Sequence, residues 1–150
     1  MEWTEIYFKK YAGKTLPQII FRDADWFFHK YENGDFKNHH AIEARELYRR
    51  ARSIRVPQKN GQKMVVEYII HGNRKFGTMR LISDASGVVS LNVSHLIDFY
   101  VPRSYAPYDK MGYRNFVSAL KTILFGNPSQ RMSKEACEEF FNDDSNFNLN

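Results

Sequence analysis

Cysteine is almost missing from this sequence of 150 residues, in which Cys137 is the single example. One cysteine cannot form a disulfide within the chain, which is typical of proteins that work in a reducing compartment. The sequence also lacks a long apolar run, and its first residues, MEWTEIYF, have neither the basic region nor the apolar stretch of a signal peptide. We therefore expect a cytoplasmic protein without contact to a membrane.

Motifs of common enzyme chemistry are missing as well. No P-loop, dinucleotide fingerprint, Gly-x-Ser-x-Gly or His-Glu-x-x-His is present. Asp23 and Asp25 lie close together, but no spaced carboxylates accompany them as a two-metal nuclease would need. His39-His40 and Glu43 give a His-x-x-Glu spacing, whereas a metal site needs three or four ligands. The sequence thus favours a non-catalytic protein with no metal and no cofactor, with an unrecognised nuclease as the enzyme alternative.

Aromatic and basic residues are plentiful instead. The chain is 43% hydrophobic and 15% aromatic, which predicts a single folded domain over residues 1–150. The formal net charge is +5, yet residues 133–150 hold five acidic groups and one basic group, so a basic body is followed by an acidic end. Positive charge favours phosphate-rich partners through counterion release, although it also serves solubility alone.

A basic turn lies near the start of the chain. Residues 3–8, WTEIYF, have the aromatic and β-branched content of a short strand. They lead into KKYAGK, where Gly13 is the residue expected at positive φ. Backbone N–H groups at a Gly turn and lysine side chains both favour an anion. We interpret Lys9, Lys10, Gly13 and Lys14 as a phosphate-binding turn, with an ordinary solvated turn as the alternative.

Two short helices are predicted next, with Thr15 and Asp23 as their N-caps. The second helix contains Trp26, Phe27 and Phe28, and three adjacent aromatic residues cannot all face one core. Either Trp26 or Phe28 is therefore expected to be exposed, as a stacking surface for a base or as an aromatic anchor for a protein partner. The alternative is that both belong to the core.

An arginine-rich helix is predicted over residues 40–53. Apolar residues at helical spacing form one face, and basic residues form the opposite face. Arginine suits phosphate better than lysine does, so we interpret this basic face as a contact with a nucleic-acid backbone. The alternative is the ordinary charged face of a surface helix. The arginines in question are Arg45, Arg49 and Arg52, with Arg55 just beyond.

Beyond Pro57 the pattern changes to short strands, separated by tight turns at Asn60-Gly61 and Gly72-Asn73. Strands are predicted over residues 64–71, 77–83, 88–93 and 96–100. Pro102 is expected to break this pattern, and residues 105–108 are expected to form a loop that leads to Asp109.

The C-terminal part is helical in pattern. Asp109 and Ser133 are expected to cap a long amphipathic helix over residues 110–125 and a short terminal helix. The tail NDDSNFNLN is expected to fray. One side of the long helix carries a weaker candidate for nucleic-acid contact, formed by Lys110, Arg114 and Lys121.

These elements predict an α+β fold with N-terminal helices, a central antiparallel sheet of three to five strands, a long C-terminal amphipathic helix and a short terminal helix. The single domain would consist of the turn and aromatic helix at 7–36, the sheet at 54–101 and the C-terminal helices at 109–142.

Residues 7–36 contain an aromatic–Gly–Lys type of turn, a Leu/Pro helix start and an Asp followed by a Tyr/Trp-centred helix. The residues of this pattern are Phe8, Lys10, Gly13, Lys14, Leu16, Asp23 and Trp26. In these features the segment resembles the small module at the C-terminus of exodeoxyribonuclease X-like proteins, although Lys9 stands where the family usually has Gly. The resemblance implies a DNA-associated accessory module and carries over no catalytic residue, because the nuclease chemistry of that family resides in a separate domain.

We therefore expect a small nucleic-acid-binding accessory protein of phage or mobile-element origin, with DNA favoured over RNA. The alternative is a protein–protein interaction module that inhibits or adapts a host machine, in an anti-defence role. A further hypothesis is that the acidic end competes with phosphates for the lysines and arginines. The alternative is a purely structural role. Glu135 would then stabilise the N-terminus of its helix by interacting with the helix dipole, and Phe140 and Phe141 would dock the terminal helix on the core.

Overall fold

The structure is a computed structural model and describes residues 1–84 and 92–150 of the chain. Within these ranges the chain has an α+β fold, as predicted. The helices are α1 (Leu16–Arg22), α2 (Ala24–Glu32), α3 (His39–Ala51), α4 (Val101–Tyr105), α5 (Lys110–Phe125) and α6 (Lys134–Asn142). The strands are β1 (Ile54–Arg55), β2 (Met64–Ile70), β3 (Phe76–Ser83), β4 (Val93–Ser94) and β5 (Leu96–Ile97). In the described part, no helix has the length and apolar character to cross a membrane.

The predicted antiparallel sheet is confirmed. β2 lies in the middle of a three-stranded sheet of order β3-β2-β4, and β1 pairs with β5 in a separate two-stranded sheet. Val66 and Tyr68 of β2 point into the core, while Glu67 on the other face accepts a hydrogen bond from Arg80. Most of the strand predicted at 88–93 falls on residues 85–91, which lie outside the described residues.

The long C-terminal helix is confirmed as α5, which packs on β3. The Asp109 carboxylate accepts the N–H of Gly112 at 2.9 Å as an N-cap, and it also accepts the N–H of Phe76 at 3.1 Å. One buried side chain therefore caps the helix and joins it to the sheet. A Cβ at position 112 would overlap this carboxylate, which explains a glycine in the first turn of a helix.

The strand predicted at residues 3–8 is wrong, because this segment bonds to its own turn instead of to a sheet. Ile6 donates its N–H to the carbonyl of Lys14 at 2.9 Å and accepts the N–H of Gly13 at the same distance. The Trp3 indole donates to Asn142 of α6 at 3.0 Å. The segment is thus an anchored loop across the N-terminal and C-terminal helices.

A loop is present just before Asp109, as predicted for residues 105–108, but the sequence predicted no helix ahead of it, whereas Val101–Tyr105 forms α4. Pro102 lies in the first turn of this helix, where its missing N–H would have no intrahelical partner anyway. The missing N–H of Pro102, which is unfavourable inside a strand, is therefore tolerated in the first turn of this helix.

The C-terminal tail does not fray. Residues Asp144–Asn146 form a 3-10 turn, and Phe147 is 1% exposed, with its ring stacked on Phe141 at 5.7 Å. Phe147 also bridges to Ile54, and the next residue, Asn148, donates its N–H to Ser53 at 2.9 Å. The tail is mostly polar, and it stays in place because its single aromatic side chain, Phe147, is buried in the core.

Buried residues of the N-terminal helices, the sheet and the C-terminal helices form one hydrophobic cluster. Its fully buried aromatic side chains are Phe27, Phe28, Phe76, Phe99, Phe116, Phe141 and Phe147.

Candidate nucleic-acid interface

The basic turn has the predicted shape, with Gly13 at a φ of 83° and a 3-10 turn over Lys9–Tyr11. The N–H groups of Gly13 and Lys14 already donate to the carbonyls of Ile6 and Tyr11. These two N–H groups are therefore not available to an anion, whereas the lysine side chains of the turn point to possible contacts with one.

Two of these lysines line a surface that also includes α5. A cleft of about 530 Å³ lies between the N-terminal helices and α5, and an adjoining groove of about 540 Å³ continues towards the start of α6. Both contain Tyr11, Phe21, Arg22 and Lys121. We call the two together the basic cleft. Its cations are Lys10, Lys14, Arg22, Lys110, Arg114, Lys121, Arg131 and Lys134.

Most of these cationic side chains have no bonded partner among the described residues. Lys10 pairs with Asp23 at 3.2 Å, whereas the side chains of the other seven form neither a hydrogen bond nor an ion pair there. The acidic residues of the first cleft are themselves neutralised, because Asp23 accepts from Lys10 and from the Tyr11 hydroxyl, and Asp25 pairs with Arg103. In the second groove, Glu135 is a lining residue and Glu138 interacts with the charge of Lys134, so the positive field is reduced there. Along the first cleft the field is compensated mainly by solvent ions.

Tyr11 and Trp26 form part of the aromatic wall of the cleft. The Tyr11 hydroxyl donates to Asp23 at 2.6 Å, and burial together with this bond raises the pKa of Tyr11 to about 12. Trp26 is half-buried, with its ring edge-to-face against Tyr11 at 5.0 Å and Phe8 at 5.5 Å. Trp26 therefore presents part of its ring to the cleft and packs the rest against the turn.

Phe28, one of the two aromatic residues of which one was expected to be exposed, is buried. Its ring is fully buried and contacts Tyr48 at 5.9 Å and Tyr100 at 5.0 Å by its edges. The three adjacent aromatic residues of α2 find separate neighbours because the helix is covered on two sides, by α1 and by α3. As an aromatic anchor for a ligand, Phe28 is excluded, and Trp26 is the one that lines the surface.

Tyr108 is an exposed aromatic residue of the cleft that pattern reasoning missed. Its side chain is 66% exposed, and its φ is 61°, a conformation that bulky residues rarely adopt. The loop is held by the buried carboxylate of Asp25, which pairs with Arg103 at 3.2 Å and interacts with the N–H of Tyr108. Burial raises the pKa of Asp25, and the bonds from Arg103 and Tyr108 counteract this rise.

The arginines of α3 are not brought to the basic cleft, since none of them lines either groove. Arg49 and Arg50 both donate to Glu46, and Arg50 also pairs with Asp144 at 2.8 Å and donates to the carbonyl of Phe141. The acidic end of the chain thus contacts α3 through Asp144. These two arginines fasten the C-terminal segment to α3.

Arg52 and Arg55 have similar internal roles. Arg52 pairs with Asp98 at 3.2 Å and lies over the Tyr100 ring at 4.7 Å, while Arg55 donates to the carbonyl of Phe147 at 2.8 Å. Of the four arginines predicted to contact phosphates, Arg45 alone has a side chain without a hydrogen bond or ion pair to the described residues.

His39, His40 and Glu43 do meet, with their possible ligand atoms all within 4.8 Å of one another. The Glu43 carboxylate, however, accepts the N–H of Thr4 at 2.9 Å and the Thr4 hydroxyl at 2.6 Å. His40 is bonded to the carbonyl of Glu5 at 3.1 Å. Glu43 and His40 thus hold the N-terminal segment on α3, while His39 contacts the ring of His40.

Comparison with known proteins adds nothing to this geometry. No protein-family model matches the chain, and no curated protein or solved structure matches it either. The resemblance of residues 7–36 to the exodeoxyribonuclease X-like module stays a prediction from the sequence.

Part of the basic cleft could be found from the sequence. Helical spacing placed Lys110, Arg114 and Lys121 on one side of α5, but nothing in the pattern joined that side to the basic turn. The sequence pattern did not mark Arg22 or Tyr108 as site residues, because they line the cleft only after the fold has brought its two walls together.

Proposed function

We propose that the protein binds nucleic acid through the basic cleft, without strong sequence preference. The observation that supports this is the convergence on one continuous surface of seven cationic side chains that form no ion pair with a described residue. Lys110 and Lys121 are about 16 Å apart along the axis of α5, a length that covers several phosphates of one strand. Contacts to phosphates position a protein on nucleic acid but read no sequence.

The salt dependence of binding tests the proposal. If about five phosphates are neutralised, the logarithm of the association constant should fall with the logarithm of salt concentration with a slope of about −3.5 for a single strand or about −4.5 for a duplex. Fluorescence anisotropy with labelled oligonucleotides between about 50 and about 300 mM NaCl, roughly a sixfold range of salt concentration, measures this slope. Binding that is absent at low salt, or that does not respond to salt, would contradict the proposal.

Matched variants assign the binding to the basic cleft. The double substitution Arg114→Gln and Lys121→Gln should weaken binding and make the slope shallower by about 1.5. Lys59→Gln is the control, because Lys59 is an exposed lysine that lines neither groove of the basic cleft. Arg45→Gln tests the remaining arginine of α3. A larger loss from Arg45→Gln than from the double substitution would move the binding surface to α3.

A protein partner is the second candidate, favoured by exposed apolar side chains. Met111 on α5 is 61% exposed, next to the cations of the cleft, and Tyr7 and Ile42 are exposed as well. Such side chains can anchor a partner, and the basic cleft would then prefer an acidic one. Action in the cytoplasm and a phage or mobile-element origin belong to both proposals and are supported by the sequence alone.

A further inference from the structure

We infer that the basic cleft takes up an unpaired base against the ring of Tyr108, so that it binds a single strand more tightly than a duplex. This inference deepens the proposed function and rests on it. It names the class of nucleic acid and the residue that selects this class.

Tyr108 is prepared for stacking by its surroundings. The Arg103 guanidinium lies 6.0 Å from the centre of its ring, and the His29 ring lies 6.3 Å away at a tilt of 53°. With a side chain 66% exposed, much of the ring still faces solvent at the cleft. A cation near an aromatic ring also strengthens the stacking of a base on it.

The loop holds Tyr108 in place at a conformational cost. Its φ of 61° suits glycine far better than tyrosine, so the fold alone gives no reason for a bulky residue here. Asp25 on one side and the buried N-cap Asp109 on the other fix the backbone. A ring that is exposed, rigidly placed and not needed in the core is suited to contact a ligand.

The rest of the cleft fits one base with its phosphates. Trp26, Val117 and Pro128 give it apolar walls, while Arg114 and Lys121 lie along its α5 side. Its volume of about 530 Å³ lies within the usual range for small-molecule pockets, roughly 300–1,000 Å³. A base can enter only if it is not stacked inside a duplex, because a duplex presents phosphates to such a surface and keeps its ring faces covered.

The test compares a labelled 12-nucleotide single strand with a duplex of the same length. Tyr108→Gly should weaken binding of the single strand by at least about 5-fold and leave duplex binding unchanged, because only the unpaired base uses the ring. Glycine is chosen because it accepts the φ of this position, so that the fold is kept. Tyr108→Phe retains the ring and should bind as the original protein does.

Two controls separate this inference from the proposed function. Tyr7→Ala removes an aromatic side chain that is 81% exposed and lines neither groove, and it should change neither affinity. Lys121→Gln should weaken both ligands, because its role is electrostatic. Equal effects of Tyr108→Gly on the two ligands, or no effect on either, would overturn the inference while binding itself persists. If the unmodified protein bound neither the single strand nor the duplex, the proposed function would be overturned as well.

Discussion

The aromatic residues of α2 divide their roles within a single helical turn. Phe27 and Phe28 are wholly buried, while Trp26 keeps part of its ring in the basic cleft. Sequence reasoning recognised that three neighbouring rings need different surroundings. It could not tell which ring would be exposed, because that depends on where α1 and α3 cover the helix.

Cys137 illustrates how burial controls the reactivity of one residue. Its side chain is 2% exposed, and burial raises the pKa of the thiol to about 12. The reactive thiolate is therefore scarce at pH 8, where an ordinary cysteine would be partly ionised. We expect Ellman's reagent to label Cys137 in the folded protein at least about 100-fold more slowly than in the urea-unfolded chain. Equal rates would show that the region around α6 opens readily.

At the scale of elements, α3 shows which features of a helix are readable from a pattern. Its apolar residues at helical spacing predicted a helix over 40–53, close to the observed His39–Ala51. The arginines on the helix and just after it suggested a solvent-facing surface. Two of them, however, bond to residues far along the chain: Arg52 to Asp98, 46 residues away, and Arg55 to Phe147, 92 residues away. A local pattern contains no information about such partners.

The pairs on α3 also predict a dependence of stability on acid. Burial alone would raise the pKa of Glu46, but the hydrogen bonds from Arg49 and Arg50 outweigh it and lower the pKa below its usual 4.5. The ionised form is thus favoured by folding, so this stabilisation is present above about pH 4.5 and is lost as the pH falls through the lower pKa of the folded state.

Glu46→Gln should therefore reduce the free energy of unfolding at pH 7 by roughly 1 kcal/mol and have a smaller effect near pH 3. Urea unfolding at several pH values between 3 and 7 measures the difference. Glu2→Gln is the control, since Glu2 is exposed and bonds to no described residue. A difference that is constant over this pH range would show that the arginine bonds do not depend on the charge of Glu46.

The basic cleft, like the bonds of the arginines on and near α3, joins residues that are far apart in the sequence. α5 and the basic turn are each recognisable from the sequence, yet they are about 100 residues apart and meet only in the folded chain. The sequence pattern could not predict the cleft, because its two walls are brought together only by the tertiary structure.

At the scale of the whole molecule, Phe147 completes the core from the far end of the chain. We expect Phe147→Ala to lower the free energy of unfolding by about 3–5 kcal/mol, because a fully buried ring is removed and a cavity is left. Equilibrium urea unfolding measures this loss, and Leu149→Ala, at a half-buried position nearby, should cost less. A loss for Phe147→Ala within about 1 kcal/mol of zero would contradict its place in the core.

The burial of Phe147 also changes how the hypothesis of a restraining acidic end can be tested. Removing all residues after Phe141 would remove part of the core together with Asp143 and Asp144. Substituting the two aspartates by asparagine keeps Phe147 in place. Since Asp144 pairs with Arg50 on α3, outside the basic cleft, we expect this double variant to bind nucleic acid with little change in affinity beyond its altered net charge.

The bridge between Ile54 and Phe147 has a further consequence for the order in which the chain folds. Closing so long a loop costs chain entropy before any contact repays it, whereas α1, α2 and α3 can meet through short connections. The tail should therefore join after the rate-limiting step of folding. In stopped-flow kinetics, Phe147→Ala should then accelerate unfolding while the refolding rate stays nearly constant, so that the tail sets how long the native state lasts and not how fast it forms.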